Sequence, residues 1–480
     1  MGERIACIRP SFNRSIQFEG RPERLSCETG ALLLREADER LGLSRDLARV
    51  VEDKRDPSRV VHSMEELLRT AIILPALGWR DQDDADFLRW DAAVRLAISD
   101  RRGISALLNS DKTEAKGLGS QPTLSRLHEG LSSDRNRSVL REFLMESAAR
   151  RLKAGNGGHR QRYVTIDIDS LPIEVDGSQP GAEYNGHYDA KIFHPLIATA
   201  AELGDILDVK LRPGSVHTAE GGLEFILNVV RTAEKSLCQV AAVRMDAGFP
   251  DEETLQGLES QGVPYVARIK NNAVLDAMAE PYLTRPQGRP PTEGRTWTCE
   301  MSYQAQSWSR ARRLVLIITE NPRELFLNHF WLVTSWTEDE KHAEELLSCY
   351  RQRGTAEGVF GELMDSIEPA LSSNRRPKSH YRGQTMAHRS GKNLSFAVNE
   401  ARLILAALAF NLAHAVRCVA EKAFQKGLTI KGLQEKIFKV AARVTLHARR
   451  INIILASDVC ERWLTLWSKI NCLGFANGRA

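Results

Sequence analysis

From about residue 36 to 150, apolar side chains recur at threes and fours: Leu67, Leu68, Ile72, Ile73, Ala76 and Leu77, then Phe87, Leu88, Ala92, Val94 and Leu96. That is the spacing of amphipathic helices. Residues 1–35 show no such period and read as a loosely ordered amino terminus. The glycine-rich run 154–159 marks a linker, and beyond it the period changes. Residues 163–169, 191–201, 205–212, 239–246 and 265–269 read as strands, with helices expected over 217–235 and 251–261. Three strands that can form a meander, then alternating helices and strands, is the order of a ribonuclease-H-like α/β domain.

That order is interrupted at 271–328, where Pro281, Pro286, Gly288, Pro290 and Pro291 exclude a helix and two β-like runs, 295–303 and 312–319, follow. The α/β pattern resumes at 330, and a helix is expected over 337–364. From 398 onward the chain reads as helical, with Lys436, Lys439, Arg443, Arg449 and Arg450 set among apolar residues. The predicted organisation is therefore a helical region at 36–153, an α/β domain at 160–270 and 329–397, a β-rich insertion at 271–328 and a helical region at 398–480.

The richest chemistry lies in the run Tyr350-x-x-Arg353-x-x-x-Glu357. On one continuous helix these offsets place a phenol, a guanidinium and a carboxylate within roughly a 60° arc. A carboxylate suits a hard divalent cation, and an arginine forks onto phosphate oxygens. Two upstream apolar strands end in aspartates, Asp169 and Asp246. Together with Glu357 they form a candidate three-carboxylate site for phosphodiester chemistry, in which two divalent cations about 4 Å apart serve nucleophile and leaving group. Asp167 shares a strand face with Asp169; Asp169 is preferred because it stands where the strand gives way to a turn.

Charge adds a partner. The net charge is only +4, yet residues 147–166 carry Arg150, Arg151, Lys153, Arg160 and Arg162 with no acid. Residues 369–399 carry Arg375, Arg376, Lys378, Arg382, Arg389 and Lys392, again with none. Such stripes are what a phosphate backbone calls for. In L-G-S-Q-P-T-L-S-R, 118–126, Ser120 reads as an N-cap, which would present Thr123, Ser125 and Arg126 near a helix amino end as recognition helices do. The eight cysteines are scattered without C-x-x-C pairs, which argues against zinc and a disulfide framework. With no signal-peptide pattern at the start and the most apolar run, 403–410, too short to span a bilayer, a cytoplasmic protein with no membrane partner is expected.

Five tags, L-G-S-Q-P-T-L-S-R at 118–126, D-I-D-S-L at 167–171, R-M-D-A-G-F at 244–249, Y-R-Q-R-G-T-A-E at 350–357 and N-E-A-R-L-I-L-A-A-L-A-F-N-L at 399–412, run in one order along most of the chain. In them the sequence resembles the DDE transposases of bacterial insertion sequences, in the cut-and-paste branch marked by Tyr-x2-Arg-x3-Glu-x6-Lys. The resemblance implies a catalytic, metal-binding triad of Asp169, Asp246 and Glu357, two Mg²⁺ ions with Mn²⁺ able to substitute, and DNA contacts from Tyr350 and Arg353. It further implies binding and cleavage of terminal inverted repeats, joining of 3′-OH ends to target DNA, and a homodimer that pairs two ends. The β-rich insertion of that branch carries an aromatic residue that holds a flipped base, for which Trp297 and Trp308 are candidates. One departure stands out: Met364 occupies the signature lysine position. The competing readings are a catalytically weakened relic or repressor of the same fold, and a stand-alone nuclease.

Overall fold

The computed structural model describes residues 10–18, 23–155, 161–175, 179–287, 293–372, 388–424 and 427–473. Strand β2 (Tyr163–Ser170) alternates Val164, Ile166 and Ile168 with Thr165, Asp167 and Asp169, so one face is apolar and the other carries acids. It lies near the centre of an eight-stranded mixed sheet. In spatial order this runs β10 (Arg295–Tyr303), β11 (Arg312–Glu320), β12 (Asn328–Thr334), β9 (Tyr265–Ile269), β8 (Gln239–Met245), β2, β6 (Leu196–Ala200) and β7 (Ile206–Lys210). Strand β8 runs parallel to both β2 and β9, and the remaining neighbours are antiparallel.

Helices cover both faces. Phe225, Ile226 and Val229 of α8 (Gly222–Ser236) and Leu255 and Leu258 of α9 (Glu252–Ser260) pack with the Val164, Ile166, Ile168 face. On the other side Leu346 and Leu347 of α11 (Ala343–Arg351) meet Val266, Val315, Ile317 and Leu332. Helix α10 (Ala273–Ala279) follows β9, and α12 (Gly354–Ser366) follows α11. A small sheet of β3 (Ile173–Glu174), β5 (Ala190–Phe193) and β4 (Glu183–Asn185) stands off the end of β2.

The helical region is α1 (Gly30–Leu41), α2 (Leu43–Val50), α3 (Met64–Ala76), α4 (Asp84–Leu88), α5 (Ala92–Ile98), α6 (Gln121–Leu131) and α7 (Asp134–Gly155). Its core is shared with α13 (His388–Ala423), α14 (Ile430–Leu433) and α15 (Ser457–Asn471). Within α13 the segment Ser395–Ala423 is long and apolar enough by composition to cross a membrane, but the protein itself buries it, as befits a core helix.

Five expectations are corrected. The two β runs of 271–328 do not stand apart: β10 and β11 continue the main sheet in register through β12. The reason is legible in β11, whose Leu314, Leu316 and Ile318 serve one core and Val315 and Ile317 another, the unbroken apolar run of a strand covered on both faces. The helix expected at 337–364 breaks between α11 and α12, where Arg353 N–H donates to Tyr350 carbonyl at 2.9 Å and Thr355 N–H to Gln352 carbonyl at 3.0 Å, the tighter i to i+3 pattern.

The flanks are not purely helical, nor is the amino terminus wholly loose. Strand β1 (Arg24–Ser26) pairs with β13 (Ala442–His447), which turns through Ala448 at φ +54° into β14 (Arg450–Ile454). Thr29 Oγ1 donates to the Val440 carbonyl at 2.7 Å, and a Cβ on Gly30 would fall 2.2 Å from Phe438 Cα, so only glycine lets α1 start there. Finally, the 147–166 stripe is partly internal: Arg150 pairs with Asp46 at 2.8 Å and Arg151 with fully buried Asp205.

Leu34 of α1 is fully buried in the shared core. Leu34→Ala should therefore lower unfolding free energy by about 3 kcal/mol, read from urea midpoints. A change below about 0.5 kcal/mol would be that of a loose terminus instead.

Candidate active site

Because β2 and β8 are parallel neighbours, the residues at their carboxyl ends come out side by side at one edge of the sheet. Asp169 is the penultimate residue of β2, and Asp246 follows β8 directly. Behind Asp246 the chain turns closely past Thr218, to whose Cγ2 a Cβ on Gly248 would lie 2.6 Å; this explains the glycine of R-M-D-A-G-F. Asp167 is different. It is fully buried, and Arg244 Nε and Nη2 donate to its two carboxylate oxygens at 2.6 and 2.7 Å while Nη1 donates to the Cys349 carbonyl at 2.7 Å. Burial pushes the Asp167 carboxyl up in pKa, with Arg244 drawing it back. With both oxygens occupied, Asp167 acts as a structural anion, and Asp169 is the aspartate of this strand that faces the site.

Arg353, at the break between α11 and α12, is almost entirely buried and reaches back over the strand ends. Its Nη2 donates to Asp169 Oδ2, and its Nη1 to Glu357 Oε1 at 3.0 Å. Ser170 N–H donates to Asp169 Oδ1 at 2.8 Å. Asp246 and Glu357 both act electrostatically on Asp169 and on Arg353. Burial pushes the Asp169 carboxyl up to about 6; Arg353 opposes the shift and the charges of Asp246 and Glu357 add to it. Tyr350 packs against Phe330, ring centroids 6.3 Å apart, and burial raises its phenol to about 12. Tyr350, Arg353 and Glu357 thus gather with both aspartates, although no single helix carries them. Among the described residues, no three His, Cys, Asp or Glu side chains form a ready metal cage. The Arg353 guanidinium supplies the local positive charge instead.

A family model described as transposase DDE domain group 1 matches residues 8–468. The chain belongs to this family. This transposase is also similar to a solved structure titled as a piggyBac transposase synaptic complex with hairpin DNA, at 12% identity and a TM-score of 0.36, covering 86% of this chain and 78% of that one. Among curated proteins none matches.

The other predicted residues of the transposase divide. Trp297 of β10 is half-buried and, with Arg351 and Gln352, lines a groove of about 500 Å³ beside the Tyr350 end of α11. Trp308 is a packing residue: it is buried between the Tyr303 ring, 5.6 Å away edge-on, and the Arg312 guanidinium at 4.9 Å. On α6, Arg126 is exposed, whereas Ser125 donates to Gln82 Oε1 at 3.1 Å and Thr123 meets Ser120 at 3.1 Å. Arg375, Arg376 and Lys378 lie outside the described residues. Met364 is half-buried against the large apolar core. Three residues escaped sequence reasoning. Arg244 could have been found, since an arginine inside an apolar strand demands a buried anion. Arg268, above the Phe330 ring at 5.3 Å, and Tyr188, electrostatically coupled to Asp169 and Asp246, left no signal in spacing.

Removing the Arg244 charge isolates a buried anion. Arg244→Met should cost about 3 kcal/mol in urea unfolding, and adding Asp167→Leu should recover most of that loss. If the double variant is no more stable than the single one, the pair is not what anchors these strands.

Proposed function

We propose that this transposase is encoded by a bacterial insertion sequence of the cut-and-paste, Tyr-Arg-Glu-Lys type, and that it binds double-stranded DNA at the element's terminal inverted repeats. It hydrolyses the phosphodiester at each end and joins the freed 3′-OH to target DNA, working as a homodimer that holds two ends. The reading rests on one observation above all: Asp169, Asp246 and Glu357, from three separate elements, converge on the buried guanidinium of Arg353. The strand order β7-β6-β2-β8-β9, antiparallel and then parallel, supports a ribonuclease-H-like catalytic core.

The donor set is all carboxylate oxygen, the chemistry that hard divalent cations select. Asp169, Asp246 and Glu357 would hold Mg²⁺, with Mn²⁺ substituting, and the bound ion would supply Lewis-acid activation of the attacking and leaving oxygens. The chain's own contribution is binding and orientation. Arg353 presents a forked donor to a phosphate oxygen once the ends are engaged. The Tyr350 hydroxyl, neutral over the working pH range, donates a hydrogen bond to the same strand. Trp297, which lines the groove next to Arg351, is the candidate ring for stacking on a displaced base. Arg126, with Arg375, Arg376 and Lys378, contributes contacts to the DNA backbone. A weakened copy is a second reading, favoured by Met364, which packs an apolar side chain where the signature has a lysine.

Asp246→Ala should abolish Mg²⁺-dependent cleavage of duplexes taken from the DNA bordering the coding sequence, while leaving their binding largely intact. Retained cleavage would remove Asp246 from the site. The elevated Asp169 pKa of about 6 sets a pH dependence. Below that pH the carboxyl must give up its proton before it can hold a cation, so Mg²⁺ affinity should fall by about tenfold per pH unit; above it the affinity levels off. Calorimetric titration of Mg²⁺ from pH 4.5 to 7.5 checks this, and a flat profile would exclude Asp169 as a ligand.

A further inference from the structure

The small sheet off the end of β2 has no part in the chemistry so far, yet its strands continue directly from β2 and lead into β6, the neighbour of β2. Strands β4 and β5 are joined through Gly186, His187, Tyr188 and Asp189. Local hydrogen bonds fix the tip. Asn185 Oδ1 accepts from His187 N–H at 3.0 Å, Tyr188 N–H donates to the Asn185 carbonyl at 3.2 Å, and Asp189 takes up φ +51° while accepting from the Tyr184 hydroxyl at 2.5 Å. Asn185 Nδ2 ties the hairpin to the Gly214 carbonyl at 2.7 Å.

The Tyr188 ring is held edge-on by His187, centroids 4.8 Å apart, and by the buried His194 at 5.7 Å. Its phenol lies near the Ser170 side chain, one residue beyond Asp169, and within electrostatic reach of both Asp169 and Asp246. The residue is nevertheless 38% exposed. A clamped ring with an accessible edge, within electrostatic reach of two acids, is not needed for packing. A neutral phenol keeps one proton to donate. No cationic side chain other than Arg353 makes a hydrogen bond to Asp169 among the described residues. A phosphodiester brought to these acids therefore meets a forked donor from the helix side and has room for a neutral donor from the hairpin side.

We propose that Tyr188 is a further substrate-contacting residue of this site, its hydroxyl donating to a non-bridging oxygen of the DNA phosphodiester on which the three carboxylates act. The inference rests on the transposase reading of those carboxylates and adds a contact from an element outside the signature tags. No proton is transferred in this role; the phenol remains neutral and stabilises charge gathering on phosphate oxygens.

The test is single-turnover cleavage of duplexes from the DNA bordering the coding sequence, by full-length wild type, Tyr188→Phe, Ser170→Ala, the double variant and Asp246→Ala. The half-exposed ring tolerates loss of the hydroxyl, which a melting curve verifies. Tyr188→Phe should slow cleavage on the order of tenfold with duplex binding unchanged, and should slow it by a similar factor in the Ser170→Ala background. If the effect vanishes in that background, Tyr188 works only by positioning Ser170 and the proposal fails. If Tyr188→Phe cuts like wild type while Asp246→Ala is inactive, the proposal also fails but the transposase site stands. Cleavage by Asp246→Ala at the wild-type rate would instead overturn the site itself.

Discussion

The buried pair of Asp167 and Arg244 is the constraint on which the site depends. Its three short hydrogen bonds tie β2 to β8 and both to the carbonyl of Cys349 in α11. That one guanidinium fixes the separation of the strands that end in Asp169 and Asp246, and it fixes the helix from which Tyr350 and Arg353 approach. Such pairs contribute little net stability against an apolar alternative, because desolvation offsets most of the attraction. What they contribute is geometry. A charged pair in a dry sheet has one satisfactory arrangement, whereas apolar side chains of similar volume have several.

Arg353 solves the next problem, which is how to keep three acids near one another. Two carboxylates and a guanidinium linked through one residue lower the self-repulsion that would otherwise splay the strand ends and α12 apart. The kink between α11 and α12 is what lets this happen. On a straight helix Arg353 would point along the same stripe as Tyr350; at the break its backbone is freed to aim the side chain at β2. Glu357, in the first turn of α12, keeps its side chain two-thirds exposed at 66%, so it can shift as charge enters the site.

Much of this was legible in the sequence. The strands carrying Asp169 and Asp246 are periodic, and Tyr350 and Glu357 fall on helices, with Arg353 at the break between them. What could not be read has physical causes. Asp167 and Asp169 share one strand face; the turn after Asp169 favours it in the sequence, but that Asp167 is an anchor depends on its long-range partner Arg244. Propensity carries no record that Arg353 would be pulled toward β2. Trp297 and Trp308 look alike in composition, but one borders a groove and the other is sealed by Tyr303 and Arg312. The β13–β14 hairpin alternates plainly at Val444, Leu446, Ile451 and Ile453; its basic residues masked it, though they sit on the outward face of the same strands.

The closure of β1 against β13 bears on how the protein comes into being. The bond from Thr29 to Val440 spans 411 residues, and Phe438 fills the space over Gly30. At about 5–20 residues per second, roughly 20–80 s of synthesis separate the first helix from the strand that completes its sheet. During that interval α1 has its own apolar face but lacks part of its cover. The helical front end is thus finished only when nearly the whole chain has left the ribosome, and a message cut short anywhere before that point yields a front end that stays open.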